Sequence, residues 1–180
     1  YLFAFDLYLH LVIHNDKRGW VNSIETFNHK QIISLIAVAR YVKKQLREEG
    51  VKNTIHTFRH NIKTYKFVFN EGYREQYRKE LGFTENDIVI GMTGRICQQK
   101  NYFLALDVIA NLIKDNPDYK LVVLGGFEPT FRNLYMQLLS KINFLKLHKH
   151  VKLVGFKTDP EKWLNSFDVG LNTSYFEGLS

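Results

Sequence analysis

The sequence predicts an α/β fold with a parallel sheet, on three observations. Residues 81–180 alternate short apolar runs with amphipathic helical stretches. Each apolar run closes on glycine: Gly94 after Ile88–Met92, Gly125 and Gly126 after Lys120–Leu124, and Gly155 after Val151–Val154. The links between runs and helices are short. Strands that are apolar throughout and separated by helices belong to parallel sheets with right-handed crossovers.

Taken in order, Ile88–Met92 is the first buried strand of this unit. Asn101–Lys114 then sets Leu104, Val108 and Leu112 beside Phe103, Leu106, Ile109 and Ile113 on adjoining helical stripes. Asn116-Pro117 stops that helix. Lys120–Leu124 is the second strand. A helix over about 130–147 follows, with Leu134, Leu138, Leu139, Ile142 and Leu145 facing the core. Val151–Val154 is the third strand. Asp159-Pro160 marks a helix start, the Asp capping and the Pro in first position. A short helix over Glu161–Ser166 leads to a last strand at Asp168–Leu171.

The first 80 residues read differently. Leu9–Ile13, Gln31–Ala37 and Thr54–Phe58 are strand candidates, and Ala39–Glu49 is a basic helix ended by Gly50. Residues 62–72 are aromatic and irregular and read as a connector, and Arg74–Leu81 as a short helix entering the α/β unit.

The chain has 180 residues, 45% apolar and 24% charged, which fits a globular protein and excludes a disordered tail, a collagen repeat or a coiled coil. Net charge is +7, and residues 1–80 carry 14 basic against 8 acidic side chains. The lone Cys97 permits no internal disulfide and fits a reducing compartment. No run of 18 apolar residues is present to span a bilayer. Tyr1–Leu9 lacks a basic start before its apolar run, so a signal peptide is not expected. An opening in mid-strand suggests a fragment of a longer protein.

Four constellations carry chemistry. In Gly91–Asn101 (GMTGRICQQKN) a buried strand meets a glycine bend, then Arg95 and, before a helix, Lys100. At the carboxyl edge of a parallel sheet, Arg95 and Lys100 can converge on a diphosphate, with Gly94 letting backbone approach. They can equally be solvated loop charges. The loop is neither G-x-G-x-x-G nor a Walker sequence. In Asn172–Ser180 (NTSYFEGLS), a carboxylate before a glycine at a strand end can bind sugar hydroxyls, or Glu177 can be a surface residue beside a turn. His14 ends the apolar run Leu9–Ile13, as a proton carrier or as a capping side chain. The basic segment from Lys30 to Arg59 can face anionic lipid or be a solvated helix face; no nucleic-acid motif accompanies it, and no nucleic-acid partner is expected. The remaining histidines fall in no metal-ligand spacing.

Together these segments resemble a family-4-type glycosyltransferase of the GT-B fold (glycosyl transferases group 1). LHLVIHN ends a strand in His, and IISLIAVARYVKKQLREEGV is similar to the family's I-A-V-S-x-x-V-K-x-x-L. TIHTFRHNI, GMTGRICQQKN and KLVVLGG are similar to I-x-V-I-x-N-G-I, G-x-x-G-R-L-x-x-x-K-N/G and K-L-V-I-V-G-x-G. VKLVGFKTDPEKWLNSFDVGLNTSYFEGLS is similar to its V-x-F-L-G…D…E-G segment. The match spans most of residues 9–180.

The resemblance implies two Rossmann-like domains, the C-terminal one holding a nucleotide-sugar donor and the N-terminal one the acceptor. Residues 1–61 are then the end of the acceptor domain, 62–80 the connector and 81–180 a truncated donor domain. It implies that Arg95 and Lys100 neutralise the donor diphosphate, with Gly94 beside them. It places Glu177, as the first Glu of an E-x7-E motif, with the backbone of Gly178, Leu179 and Ser180 at the donor sugar, and His14 near the reacting sugar. Transfer with retention, without metal or other cofactor, follows by the same resemblance. So does a glycan or lipid-linked acceptor, in cell-envelope polysaccharide biosynthesis at the cytoplasmic face of an anionic membrane. The second Glu of E-x7-E is absent, Arg40 replaces a usual Ser, and Arg59-His60 precede Asn61-Ile62 where Asn-Gly is usual. The 180-residue chain alone is expected to be inactive or nearly so, the longer parent protein being the enzyme. A sugar-nucleotide epimerase of the same architecture and a non-catalytic nucleotide-sugar-binding module are the rival readings, with a basic adaptor resting on the charge alone.

Overall fold

The computed structural model describes residues 9–13, 24–58 and 61–177. His14, Arg59, His60, Gly178, Leu179 and Ser180 lie outside the described residues. The chain forms two compact units, Tyr1–Ile62 with Phe176–Ser180, and Lys63–Tyr175.

In the first unit β1 (Leu9–Ile13), β2 (Ile32–Ala37) and β3 (Thr54–Thr57) form a parallel sheet in that order. The run IISLIA is buried on both faces over most of its length, as an inner parallel strand requires. Helices α1 (Ile24–Phe27) and α2 (Arg40–Glu48) supply the connections. Phe27, Val42 and Leu46 pack with Ile32, Leu35, Ala37, Val51 and Ile55 in one core. Asn53 Nδ2 donates to the carbonyls of Phe27 and Ile32, both at 2.8 Å, tying the loop before β3 to both ends of the α1–β2 link. The basic face of α2 is partly used by the unit itself. Arg47 Nη1 donates to Val51 O at 2.6 Å, and Lys44 pairs with Glu48 one turn on at 3.8 Å.

The second unit contains α3 (Glu71–Leu81), β4 (Ile88–Thr93), α4 (Tyr102–Asp115), β5 (Tyr119–Leu124), α5 (Arg132–Phe144), β6 (Val151–Gly155), α6 (Pro160–Trp163) and β7 (Val169–Gly170). Its sheet has the order β6-β5-β4-β7, with every pairing parallel. Side chains alternate across it, as the pleat dictates. Ile90, Met92, Leu121 and Val123 meet α4 and α5 on one face; Val89, Val122 and Leu124 meet α3 and Trp163 on the other. Each fully buried Leu or Val here contributes roughly 1.5–3 kcal/mol of transfer free energy. Gly91 lies on the α3 face, where the Phe167 ring covers it so closely that a β-carbon would overlap the ring.

The helices differ from the sequence pattern in particular places. Leu104 and Leu139 are 47% and 37% exposed; Tyr102 and Ala105 fill the α4 face instead. Periodicity gives a stripe, and the sheet selects its phase. Helix α5 stops at Phe144, and Lys146 adopts a left-handed φ of 56°. That reversal lets Leu147 N–H reach Ile142 O at 2.9 Å and sends Leu147 into the core as a loop residue. Helix α3 begins at Glu71 rather than Arg74, because Asn70 Oδ1 accepts from Tyr73 N–H at 3.0 Å. Asp159 occupies the cap position before Pro160 but does not cap with its side chain. Its carboxylate accepts from Tyr77 Oη at 3.1 Å and pairs with Lys162 at 3.5 Å. Burial, then this bond, raise the Tyr77 hydroxyl to about 12.

The amino edge of this sheet holds a buried ionic cluster with no sequence signature. Arg78 on α3 is 1% exposed and donates to Asp168 Oδ2 at 2.5 Å and to the carbonyls of Thr84 and Asp87, each at 3.0 Å. Asp168 also accepts from Val89 N–H at 2.7 Å and from Arg74 at 2.8 Å. The start of β7 is therefore pinned to β4 and to α3 by one carboxylate.

Candidate functional site

At the carboxyl edge of the second unit, the chain leaves β4 at Gly94, whose φ of 139° lies in the region glycine favours. Three hydrogen bonds fix this bend. Gly94 N–H donates to Leu124 O at 3.0 Å, Ile96 N–H to Gly126 O at 2.7 Å, and the Tyr102 hydroxyl to Gly94 O at 2.7 Å. Gly125, the first residue after β5, admits this approach: a β-carbon on it would stand 2.6 Å from the Gly94 carbonyl carbon.

Beside the paired loops opens a cavity of about 520 Å³, lined by Thr93, Gly94, Arg95, Leu124–Glu128, Phe156, Lys157 and Pro160. That size suits a small-molecule site. Arg95 stands half-exposed at its rim. Its guanidinium pairs with the Glu128 carboxylate and lies 5.8 Å from the Phe131 ring centroid. The hydrogen bond and charge of Glu128 raise the Arg95 pKa, so the cation is permanent. Phe127 stacks on Tyr135, centroids 4.3 Å apart at 15°, and Lys157 lies 4.5 Å over Trp163. The cavity thus has apolar residues in its lining together with the Arg95–Glu128 ion pair, Lys157 and the backbone of the glycines.

Lys100 ends the 3₁₀ turn Gln98–Lys100, just before Asn101 starts α4 with a φ of 48°. Its side chain runs over Gly94, with Cε 2.8 Å from where a Gly94 β-carbon would be. Lys100 is therefore packed on Gly94, whereas the Arg95 guanidinium turns to Glu128 at the cavity rim, and Lys100 is not among the residues lining the cavity. The second sequence constellation meets the first here. Thr173 Oγ1 donates to Lys100 O at 2.8 Å, and Tyr175 N–H to Gln99 O at 2.9 Å, so the segment after β7 is laid along the Lys100 turn. Glu177, half-buried, is grouped with the first unit, whereas Gly94, Arg95 and Lys100 belong to the second. Cys97 is buried, a packing thiol of this loop. Among the described residues, no group of three His, Cys, Asp or Glu side chains could hold a metal ion, and no helix is long and apolar enough to cross a membrane.

Sequence reasoning did not single out Tyr102, Glu128 or the close approach at Gly125. Tyr102 follows the Lys100-Asn101 pair and reads as one more helix residue, yet it anchors the bend. Tyr102→Phe is expected to lower stability by about 1 kcal/mol, the usual net value of one hydrogen bond, read as a lower urea midpoint with an unchanged m-value. An unchanged midpoint would show that the bend holds without it.

A family model for the glycosyl transferases group 1 matches residues 73–180. The chain belongs to that family. It is 29% identical over 110 residues to the uncharacterized glycosyltransferase MJ1059 of Methanocaldococcus jannaschii, covering 61% of this chain and 25% of that one. It is 29% identical over 103 residues to the O-antigen biosynthesis glycosyltransferase WclY of Escherichia coli, covering 57% and 27%. Its fold matches that of HepE from Anabaena, solved in complex with UDP and glucose, with a TM-score of 0.80 at 17% identity over 93% of this chain and 46% of that one. The chain therefore spans about a quarter of the length of these curated relatives. The α/β class and GT-B fold are thereby established for a group 1 glycosyltransferase chain.

Proposed function

We propose that the protein serves glycosyl transfer, with a nucleotide-sugar donor bound at the carboxyl edge of β4–β6. The observation that carries this reading is the cavity beside the Gly94 bend, where Arg95 forms the rim and the Lys100 side chain lies across the glycine. A nucleotide places an aromatic base against apolar walls and a diphosphate against cations, and this site offers both. Arg95 and Lys100 neutralise the diphosphate, which also stabilises the leaving nucleoside diphosphate as the glycosidic bond breaks.

The finer assignments rest on the family resemblance. By that resemblance Glu177 with the backbone of Gly178, Leu179 and Ser180 serves the donor sugar, His14 lies near the reacting sugar, and the sugar is transferred with retention and without a metal. HepE, solved with UDP and glucose, supports a nucleotide-sugar donor, and WclY, named for O-antigen biosynthesis, supports a glycan or lipid-linked acceptor in envelope polysaccharide assembly. The cytoplasmic membrane face is the setting, with the basic residues 1–80 as its contact to anionic lipid.

Calorimetric titration of the 180-residue chain with UDP-, GDP- and ADP-sugars tests the donor site. One nucleotide class is expected to bind, and Arg95→Ala or Lys100→Ala to weaken it on the order of 10- to 100-fold, the value of one charge-assisted hydrogen bond. Binding of none, or binding by both variants as tight as by the wild-type chain, refutes the reading.

A further inference from the structure

The Arg95–Glu128 pair sets a problem that the donor site must solve. The residue proposed to meet the diphosphate already holds an anion, and that anion stands on the rim of the same cavity. A carboxylate left in place would face an incoming diphosphate of like charge. The local structure around Glu128 shows how this is resolved.

Glu128 precedes Pro129, which confines it to extended backbone, observed at φ −85° and ψ 155°. It stands at the cap position of the turn Pro129–Phe131, which runs directly into α5. A carboxylate at a cap can turn back onto N–H groups of the first turn, but here Pro129 has none and the Phe131 N–H already donates to the Glu128 carbonyl at 2.8 Å. This one makes no such cap and reaches across the rim to Arg95 instead. The Glu128 side chain is half-exposed at the rim, with Arg95 as its ion-pair partner and solvent on its other side. The Arg95 guanidinium also lies 5.8 Å from the Phe131 ring centroid, a second contact beside the carboxylate.

We propose that the Glu128 carboxylate is a built-in counter-ion of the donor site, which holds Arg95 in position in the empty protein and yields it to the diphosphate of an arriving nucleotide. This rests on the donor site proposed above. Its consequence is twofold. The guanidinium is pre-placed at the rim rather than free to sweep through solvent, and binding is an exchange of one anion for another. That exchange makes affinity lower than the cations alone would give and favours release of the nucleoside diphosphate after transfer. Glu128 is a positioning residue in this scheme; it touches Arg95, not the sugar.

The test titrates UDP and, separately, inorganic pyrophosphate into the wild-type chain, Glu128→Gln, Glu128→Asp, Arg95→Ala and the double variant R95A/E128Q. Removing the competing charge is expected to tighten binding of both probes about two- to fivefold in Glu128→Gln, the scale of a half-exposed ion pair. Glu128→Asp keeps the charge and is expected to stay within about twofold of wild type. In the double variant the gain disappears, because the counter-ion has no cation left to compete for. Thermal midpoints of the ligand-free proteins are expected to agree, which separates the effect from stability. Weaker binding in Glu128→Gln would make Glu128 a direct ligand of the nucleotide and overturn the proposal. Unchanged binding would make the pair a bystander and overturn it as well. If wild type binds neither probe, or Arg95→Ala binds as wild type does, the donor-site reading itself fails, a result distinct from either of these.

Discussion

Arg78→Met is expected to destabilise the second unit by about 3–5 kcal/mol, the cost of breaking a buried ion pair from one side. The guanidinium is 1% exposed and serves three acceptors, so its loss takes a donor from the carbonyl of Asp87, leaves the Thr84 carbonyl only the Asp87 N–H at 3.3 Å, and strips Asp168 of one partner. The whole stability of a domain is typically about 5–15 kcal/mol, so this single change removes a large share of it. Arg78→Lys is not expected to rescue it, since one ammonium cannot reach a carboxylate and two carbonyls in the fork geometry of a guanidinium. The urea midpoint measures the loss. A shift below about 1 kcal/mol would mean the cluster relaxes around a missing guanidinium.

The same cluster gives stability an acid limb with a definite sign. Burial opposes the charge of Asp168, but the Val89 N–H, Arg74 and Arg78 outweigh it and hold the carboxyl below its ordinary 3.8. Asp87 behaves alike: burial opposes its charge, and Lys120 at 2.8 Å with the Thr84 N–H and hydroxyl outweighs it. A carboxyl depressed in the folded state binds fewer protons there than in the unfolded chain. Its contribution is therefore complete above the unfolded value and is lost as pH falls through the folded one. The wild-type midpoint is expected to fall below pH 3.8, and Arg78→Met to flatten that fall. Nucleotide binding by folded protein should not change, because the cluster lies at the start of β4 and the cavity beyond its end.

The parallel sheet was legible because its strands are buried on both faces: a run such as Ile88–Met92 has few other places to go in a folded chain. The loop from Gly94 to Lys100 was legible only as a candidate, since two cations at a carboxyl edge can meet a diphosphate or be solvated loop charges, and spacing alone does not choose between them. Arg78 was not legible. In the stretch Arg78-Lys79-Glu80 it looks like one charge on a solvated helix face, and the carboxylate that draws it inward lies 90 residues further on. Glu128 was hidden for a like reason, 33 residues from the arginine it holds. Asp159 misled in the opposite way: its local sequence is a cap signal, but Tyr77, from another helix, claims the carboxylate. Local pattern reports what a segment can do by itself, and these residues act through contacts that only the fold creates.

Gly125→Ala is the change expected to damage fold and site together. The added methyl would overlap the Gly94 carbonyl oxygen and stand 2.6 Å from its carbon. Neither strand can step aside cheaply. Gly94 is held from one side by Leu124 O and from the other by the Tyr102 hydroxyl, while Ile96 is bonded to Gly126 O. Relief requires lifting the whole bend, with the loss of those hydrogen bonds and displacement of the Arg95 rim. The expected cost is about 3 kcal/mol, at the upper end of the range for overpacking. Gly126→Ala is the matched control: its β-carbon would meet the Phe156 Cβ at 3.3 Å, a contact that a small shift accommodates, so it should cost far less. Circular dichroism melts and UDP titration read the two effects. Gly125→Ala is expected to melt well below Gly126→Ala and, where still folded, to bind nucleotide weakly. If the two variants melt and bind alike, the close approach of the Gly94 bend to β5 does not exist in solution, and the floor of the cavity is built some other way.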